Sequence, residues 1–179
     1  MMNQAGRLIV VLSVVFSFAS VTRIAAAQQQ PEQTPIEVFQ VLEMPITTSD
    51  ATLVKTKHGY RLKCLLSNSS EFRQLGLRYS LAIVDSMNTI SGIVSRNEGF
   101  RLAPYQIKTF TFKTPVRLSL KGDERFVLMV EQIVSTHYVW DVLKSKESLA
   151  AYIGGDYSVM PRVMRVSNNV DSLITPRVF

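Results

Sequence analysis

The chain has 179 residues, 46% of them apolar and 19% charged, with a formal net charge of +6 and a single cysteine. This composition is too apolar and too weakly charged for a disordered protein, and one cysteine excludes both a disulfide framework and a cysteine-rich zinc module. Nucleic-acid binding is disfavoured as well, because the sequence contains no dense basic stripe with interleaved aromatic residues.

Residues 1–27 have the order of a secretory signal peptide. Arg7 ends a short polar start, residues 8–21 read LIVVLSVVFSFASV without a charge, and three alanines follow at residues 25–27. The apolar run is shorter than the roughly 20 residues that a bilayer span needs, which disfavours the alternative of an uncleaved membrane anchor. We therefore predict cleavage after Ala27 and a secreted or periplasmic mature chain without a transmembrane helix.

Removal of this leader takes away two arginines and no acid, so the net charge falls from +6 to +4. Residues 28–35 are polar and contain two prolines, and we expect them to be a flexible N-terminal segment. Residues 36–166 are expected to form a single domain. Residues 167–179 are expected to be a loose C-terminal tail.

The clearest strand signal covers Gln74–Asp85, where five apolar side chains alternate with small or polar ones. A period of two is typical of a strand, because a helix would spread these residues around its axis. Further extended segments are predicted at Ile36–Glu43, Ala51–Thr56, Tyr60–Leu66, Thr89–Arg96, Tyr105–Lys113, Val116–Leu120, Arg125–Ser135 and Asp156–Val166. Short strands joined by turns, without intervening amphipathic helices, predict a mainly β fold and an antiparallel β-sandwich, with a closed barrel as the alternative.

One short helix is predicted near residues 145–153. Ser145 is placed as the N-cap of a helix that begins at Lys146, and Glu147 lies in the first turn, where the helix dipole favours a negative charge. The pair Gly154-Gly155 supplies the left-handed exit that ends many helices.

The segment Tyr60–Phe112 contains an aromatic strand that ends in aspartate, Tyr79–Asp85, then the turn Leu102-Ala103-Pro104 and the Phe-rich stretch Phe110-Thr111-Phe112. This order resembles that of the FxLYD-type domains, which are small secreted bacterial β-sandwiches of immunoglobulin or fibronectin type III appearance. The chain departs from the family pattern where its aromatic strand ends in Ile-Val-Asp instead of Leu-Tyr-Asp. The resemblance implies an immunoglobulin- or fibronectin-III-like sandwich in a bacterial envelope or secreted protein. It provides no catalytic residue, metal or cofactor.

The nucleophilic and metal-binding side chains of the sequence do not form a recognised pattern. Cys64 lies on the apolar face of a predicted strand, which favours an inert buried thiol over a nucleophile or a thiol that pairs between chains. His58 and His137 are the only histidines, and neither has the spacing of a metal site. The sequence also lacks a G-x-S-x-G elbow and a P-loop, so we predict no catalytic residue, metal or cofactor.

Three surface patterns have both a structural and a functional interpretation. The basic run Lys108, Lys113, Arg117 and Lys121 is interpreted as solvated strand residues, with contact to an acidic polymer as the alternative. The aromatic residues Tyr138, Trp140 and Tyr152 are interpreted as core and helix-docking residues, with a platform for sugars or a partner as the alternative. The tripeptide Asn68-Ser69-Ser70 fits the N-glycosylation pattern, which is accidental in a bacterial protein.

The sequence therefore favours an exported, non-catalytic β-sandwich that binds or supports other envelope or extracellular components. An alternative from another class is a hydrolase whose site is built from loops, using polar residues such as Asp85, Asn88, Glu98, His137 and Asp141. A further alternative is a protein inhibitor or assembly factor that pairs with its partner through an exposed strand edge.

Overall fold

Most of the residues that the structure describes lie in strands. The structure is a computed structural model, and it describes residues 32–114, 123–159 and 161–167. The predicted signal peptide, the strand predicted at Val116–Leu120 and the predicted tail beyond Ser167 lie outside the described residues. The elements are β1 (Gln33–Pro35), β2 (Glu37–Phe39), β3 (Ile46–Thr56), β4 (Gly59–Asn68), β5 (Gln74–Val84), β6 (Ile90–Leu102), β7 (Ile107–Lys113), β8 (Arg125–Ser135), β9 (Tyr138–Leu143), α1 (Ser145–Ile153) and β10 (Arg162–Ser167).

Within the described residues the strands form two sheets that face each other. One sheet has the strand order β1-β3-β4-β7, and the other has the order β10-β9-β8-β5-β6. Buried side chains of both sheets line the interface, among them Leu62 of β4 and Leu128 of β8, and the rings of Tyr79 and Phe112 stack across it at 6.2 Å. The mainly β, sandwich-type fold with one short C-terminal helix is thus confirmed.

The N-terminal part of the described chain contributes to both sheets and differs from the prediction. Residues 33–35, expected to belong to a flexible segment, form β1 and pair with β3 in antiparallel register. β2 then pairs with residues 127–129 of β8 in parallel, so the second sheet is not purely antiparallel. β9 occupies the same edge of β8 at residues 132–134, and β2 continues this edge where β9 stops.

Both faces of β5 are buried, although its sequence alternates between apolar and polar residues. Leu77, Tyr79 and Leu81 point into the sandwich, whereas Ser80 and Ala82 on the opposite face are also fully buried. On this outer face α1 contacts the neighbouring strand β8 and buries Leu149 and Ile153. The helix therefore covers part of the outer face of the second sheet.

The predicted helix is confirmed in position, but its N-terminus is built differently. The N-cap is Lys144, in the left-handed region at φ 53°, and no side chain caps the helix. Ser145 is the first helical residue, and its hydroxyl points to β8 instead of capping. At the other end Gly154 is the C-cap and Gly155 has φ 86°, as predicted for the left-handed exit.

Candidate functional site

Glu131 is a carboxylate in the otherwise apolar central strand β8, and only 3% of it is exposed. In the β5–β8 ladder Arg78 pairs with Gln132 and Tyr79 with Val130, so Glu131 is the extra residue of a β-bulge. Bulges often re-aim a side chain, and here the carboxylate meets Arg78 and Ser80 on the outer face of the sheet. A buried carboxylate needs hydrogen-bond partners, and this one has them.

Three side chains donate to the Glu131 carboxylate. The guanidinium Nε of Arg78 donates to Oε2 at 3.0 Å, while the hydroxyls of Ser80 and Ser145 donate to Oε1 at 2.5 and 3.0 Å. Arg78 also donates to Asp141 Oδ1 of β9 at 3.1 Å. The carboxylate thereby joins β5, β8, β9 and the first residue of α1. We call Arg78, Ser80, Ser95, Glu131, Asp141 and Ser145 the Glu131 network.

Ser95 extends the Glu131 network to the surface of β6. Its hydroxyl lies 2.6 Å from that of Ser80, its direct cross-strand partner. The single hydroxyl proton of Ser80 goes to the carboxylate, so Ser95 is the donor in this pair. The exposed Ser95 therefore hydrogen-bonds to the buried Ser80, which hydrogen-bonds to Glu131. Because Ser95 donates to another hydroxyl, no base contacts it that could activate it as a nucleophile. Ser80 does contact the carboxylate, but it is fully buried.

The polar residues considered for a loop-built hydrolase site lie at separate places. Asp85 and Asn88 form the β5–β6 turn, and Asp85 Oδ1 accepts from the backbone N–H of Met87 and Thr89 at 2.9 Å. His137 lies in the β8–β9 turn at the opposite end of β5, about 30 Å away at the usual rise per strand residue.

The remaining two candidates lie on opposite faces of the second sheet. Glu98 is opposite the core residue Leu77 and forms an ion pair with Arg96 at 2.6 Å, whereas Asp141 contacts Arg78 on the outer face. The five candidate residues of the hydrolase alternative are thus not brought together.

Cys64 lies in the core, with 2% of the residue exposed, and it is a free thiol. Burial raises the pKa of this thiol from 9.0 to about 12, which removes the thiolate at neutral pH. The position and electrostatics of Cys64 match the interpretation of an inert core residue.

The aromatic residues of the C-terminal region fall into two separate clusters. Tyr138 and Trp140 pack with Phe72, at ring distances of 5.0 and 6.5 Å. Tyr152 instead stacks on Phe39 at 4.3 Å and donates to Glu37 Oε1 at 2.6 Å, which ties α1 to β2. The three aromatic residues proposed for a common platform therefore dock different elements.

Lys108 and Lys113, the two residues of the basic run that the structure describes, do not lie on one face of β7. Lys108 lies over the ring of Phe110 at 5.5 Å, on the side of β7 that carries the phenylalanines. Lys113 lies five residues later and therefore on the other face of the strand. Arg117 and Lys121 lie outside the described residues.

Asn68, the candidate glycosylation residue, is buried and holds the turn after β4 together. Its amide Nδ2 donates to the carbonyls of Phe72 and Ala103 at 2.8 and 2.9 Å. Its Oδ1 accepts from the backbone N–H and the hydroxyl of Ser70 and from the amide of Gln74. Both amide hydrogens are in use, so the side chain has a structural role in the folded chain.

β10 is the most exposed strand of the second sheet. It pairs with β9 along its full length, from Arg162 opposite Leu143 to Ser167 opposite Tyr138. A shallow depression beside it is lined by apolar and basic side chains, including Leu42, Leu143 and Met164. The sequence predicted an extended segment at Asp156–Val166, and the strand occupies only the part from Arg162 onwards.

In residues 32–114, 123–159 and 161–167 no group of three or more histidine, cysteine, aspartate or glutamate side chains is placed to hold a metal ion. The same residues contain no helix with the length and apolar character needed to cross a membrane. Searches with models of protein families, against curated proteins and against solved structures find no match to the chain.

Proposed function

We propose that the chain is exported and acts outside the cytoplasm as a non-catalytic β-sandwich that binds or supports other envelope or extracellular components. The observation that carries this proposal is the Glu131 network. In this network the carboxylate accepts three hydrogen bonds from the protein's own side chains, and both the carboxylate and Ser80 are buried. This arrangement suits a structural clamp, because a catalytic group must reach its substrate.

The strand order supports an immunoglobulin-like arrangement of this sandwich. Counted from β3, the first, second and fifth strands of the sandwich (β3, β4 and β7) lie in one sheet. The third, sixth and seventh strands (β5, β8 and β9) lie in the other. Immunoglobulin domains distribute these six strands in the same way. Such sandwiches often serve as recognition modules on which the binding surface is grafted, so the fold favours binding without identifying the ligand.

Expression of the full chain in a Gram-negative host tests the proposed export. We expect the protein in the periplasm or medium with a mass that corresponds to residues 28–179. A control with Leu12→Arg and Val15→Arg in the leader should stay in the cytoplasm, because two charges interrupt the apolar run. An unprocessed wild-type chain in the cytoplasm would contradict export.

A panel of esterase, phosphatase, glycosidase and peptidase substrates tests the non-catalytic part with the same exported protein. We expect no turnover above that of the Glu131→Gln variant. Turnover that a single substitution abolishes would overturn this part of the proposal.

A further inference from the structure

The free side of β10 combines an open strand edge with exposed apolar side chains. Among the described residues β10 pairs only with β9, so its second row of backbone N–H and C=O groups has no strand partner. Met164 is 43% and Val166 44% exposed, and Leu42 and Leu143 next to the edge are also exposed. Exposed strand edges are templates for pairing with another chain, and proteins usually protect them.

The other strand edges of the described sandwich do not combine these features. β6 has no large exposed apolar side chain, and of its three charged residues Arg96 and Glu98 pair with each other while Arg101 is exposed. β1 and β2 have only three residues each, and on β7 the one large exposed apolar residue is Ile107. β10 is therefore the edge best suited to accept a further strand.

The charge of β10 indicates the chemistry of its partner. The strand carries Arg162 and Arg165 and no acid, and neither arginine has an ion pair within the described residues. Arg165 lies over the ring of Tyr138 of β9 at 4.7 Å and remains exposed. Glu43 also lines the depression, but Arg162 and Arg165 outnumber it, so the lining carries a net positive charge.

We propose that β10 accepts an extended segment of a partner protein in which two acidic residues are separated by two apolar residues. In antiparallel register the two acids lie opposite Arg162 and Arg165, and the apolar pair lies opposite Val163 and Met164. The backbone hydrogen bonds supply affinity and the alternating side chains supply specificity. This inference rests on the proposed binding function and names the surface and the class of partner.

A second copy of the chain fits this edge less well. Pairing of β10 with β10 of another copy would bring four arginines onto one short two-stranded ladder that has no acid. Like charges that face each other across strands are destabilising. Charge complementarity thus favours a different, acidic partner.

Fluorescence anisotropy with short peptides tests the proposal on the exported chain. The probe is the labelled peptide Ser-Glu-Val-Leu-Glu-Ser. One control peptide has both glutamates replaced by lysine, and another has its leucine replaced by proline, which cannot donate to a ladder. We expect saturable binding of the acidic peptide and about tenfold weaker binding of the lysine peptide, the effect expected from two partly exposed charge pairs.

Charge exchange supplies the decisive comparison. The double variant Arg162→Glu and Arg165→Glu should reverse the preference, so that it binds the lysine peptide better than the acidic one. The matched variant Lys108→Glu and Lys113→Glu on β7 removes the same charge elsewhere and should leave the preference unchanged. Equal affinity for both peptides, absence of saturable binding, or a preference that the arginine reversal does not alter would overturn the proposal.

Hydrogen exchange of the β10 amides decides whether the edge is free to bind. We expect the outward amides of residues 162–167 to exchange rapidly in the chain alone and slowly with the acidic peptide. Slow exchange without peptide would mean that the chain's own residues or a second copy already occupy the edge, and would also overturn the proposal. If the protein is exported and non-catalytic but fails these tests, the β10 site is refuted and the proposed function is not.

Discussion

The hydroxyl of Ser145, the first residue of α1, donates a hydrogen bond of 3.0 Å to the buried carboxylate of Glu131 in β8. This bond connects the helix to the centre of the second sheet, 14 residues back along the chain. Arg78 and Ser80 also donate hydrogen bonds to the carboxylate. The polar centre of the molecule thus holds the helix over the outer face of the sheet.

Substitutions in the Glu131 network should reveal a graded loss of stability. Glu131→Ala leaves three donors without their acceptor, and we expect a loss of about 2–4 kcal/mol in the free energy of unfolding. Ser145→Ala removes one hydrogen bond and should cost about 1 kcal/mol. Urea unfolding followed by circular dichroism measures both effects.

The ion pair between Lys55 and Glu32 is the matched control for the Glu131 network. Its side chains are 55% and 67% exposed, and Glu32→Gln should therefore leave the urea midpoint almost unchanged. Equal losses for Glu131→Ala and Glu32→Gln would contradict the role of Glu131 as a buried clamp.

Two tyrosines should respond differently to the loss of their hydroxyl. The hydroxyl of Tyr79 is buried without a hydrogen-bond partner in the described part of the chain, whereas that of Tyr152 donates to Glu37. We expect Tyr79→Phe to be neutral or stabilising by up to about 1 kcal/mol, and Tyr152→Phe to be destabilising by about 0.5–1 kcal/mol. A clear loss of stability in Tyr79→Phe, measured by urea unfolding, would refute this assignment.

Asn68 should tolerate neither alanine nor aspartate. Aspartate keeps the acceptor that serves Ser70 and Gln74 but cannot donate to the carbonyls of Phe72 and Ala103. We expect Asn68→Asp to cost about 2 kcal/mol by thermal or urea unfolding. The exposed strand residue Asn97 is the control, and Asn97→Ala should stay within about 0.5 kcal/mol of the wild type. Similar effects at both positions would argue against Asn68 as the organiser of the turn.

The Cys64 thiol should be unreactive in the folded chain. Because burial raises its pKa to about 12 and shields the sulfur, a thiol reagent such as dithionitrobenzoate should not react at pH 8. The same reagent should titrate one thiol per chain in 6 M guanidinium chloride. Rapid reaction of the native protein would show that Cys64 is accessible.

Stability should fall in alkaline solution. Folding raises the pKa of Cys64 from 9.0 to about 12 and that of Tyr79 from 10.0 to about 12, in both cases mainly through burial. The unfolded chain therefore loses these protons at lower pH than the folded chain, so their contribution is complete below about pH 9 and is lost between pH 9 and 12. Urea midpoints measured across this range check the decline.

Cys64→Ala provides the control for the alkaline decline. It removes the thiol that ionises first in the unfolded chain, so the variant should lose less stability between pH 9 and 10 than the wild type. Identical pH profiles for the two proteins would assign the decline to other groups.

Much of the fold is predictable from local patterns. The alternation over Gln74–Asp85 and the continuously apolar stretch Arg125–Ser135 correspond to β5 and β8. In the turn that follows β5, Asp85 accepts hydrogen bonds from two backbone N–H groups. Turn chemistry and side-chain period depend on neighbouring residues, which is why one sequence suffices to find them.

The Glu131 network, the start of α1 and the two short N-terminal strands could not be predicted from local patterns. Glu131 stands out in the sequence as the one acid in RFVLMVEQIVS, but its three donors come from β5 and α1, and only the tertiary fold brings them together. The role assigned to Ser145 as a cap was wrong, because its hydroxyl serves Glu131 instead. β1 lies in a segment that was expected to be flexible, and β2 covers only three residues of the strand predicted at Ile36–Glu43; both depend on pairing with distant strands.

The central claim is that the Glu131 network is a structural clamp and that the protein acts by binding. Ser80 donates to Glu131 and accepts from the exposed Ser95, an arrangement with some likeness to an activated serine. Labelling of the folded, exported chain with a fluorophosphonate probe, followed by peptide mass spectrometry, tests this directly. The account predicts no modification of either serine, and stoichiometric labelling of Ser80 or Ser95 that Glu131→Gln abolishes would contradict it.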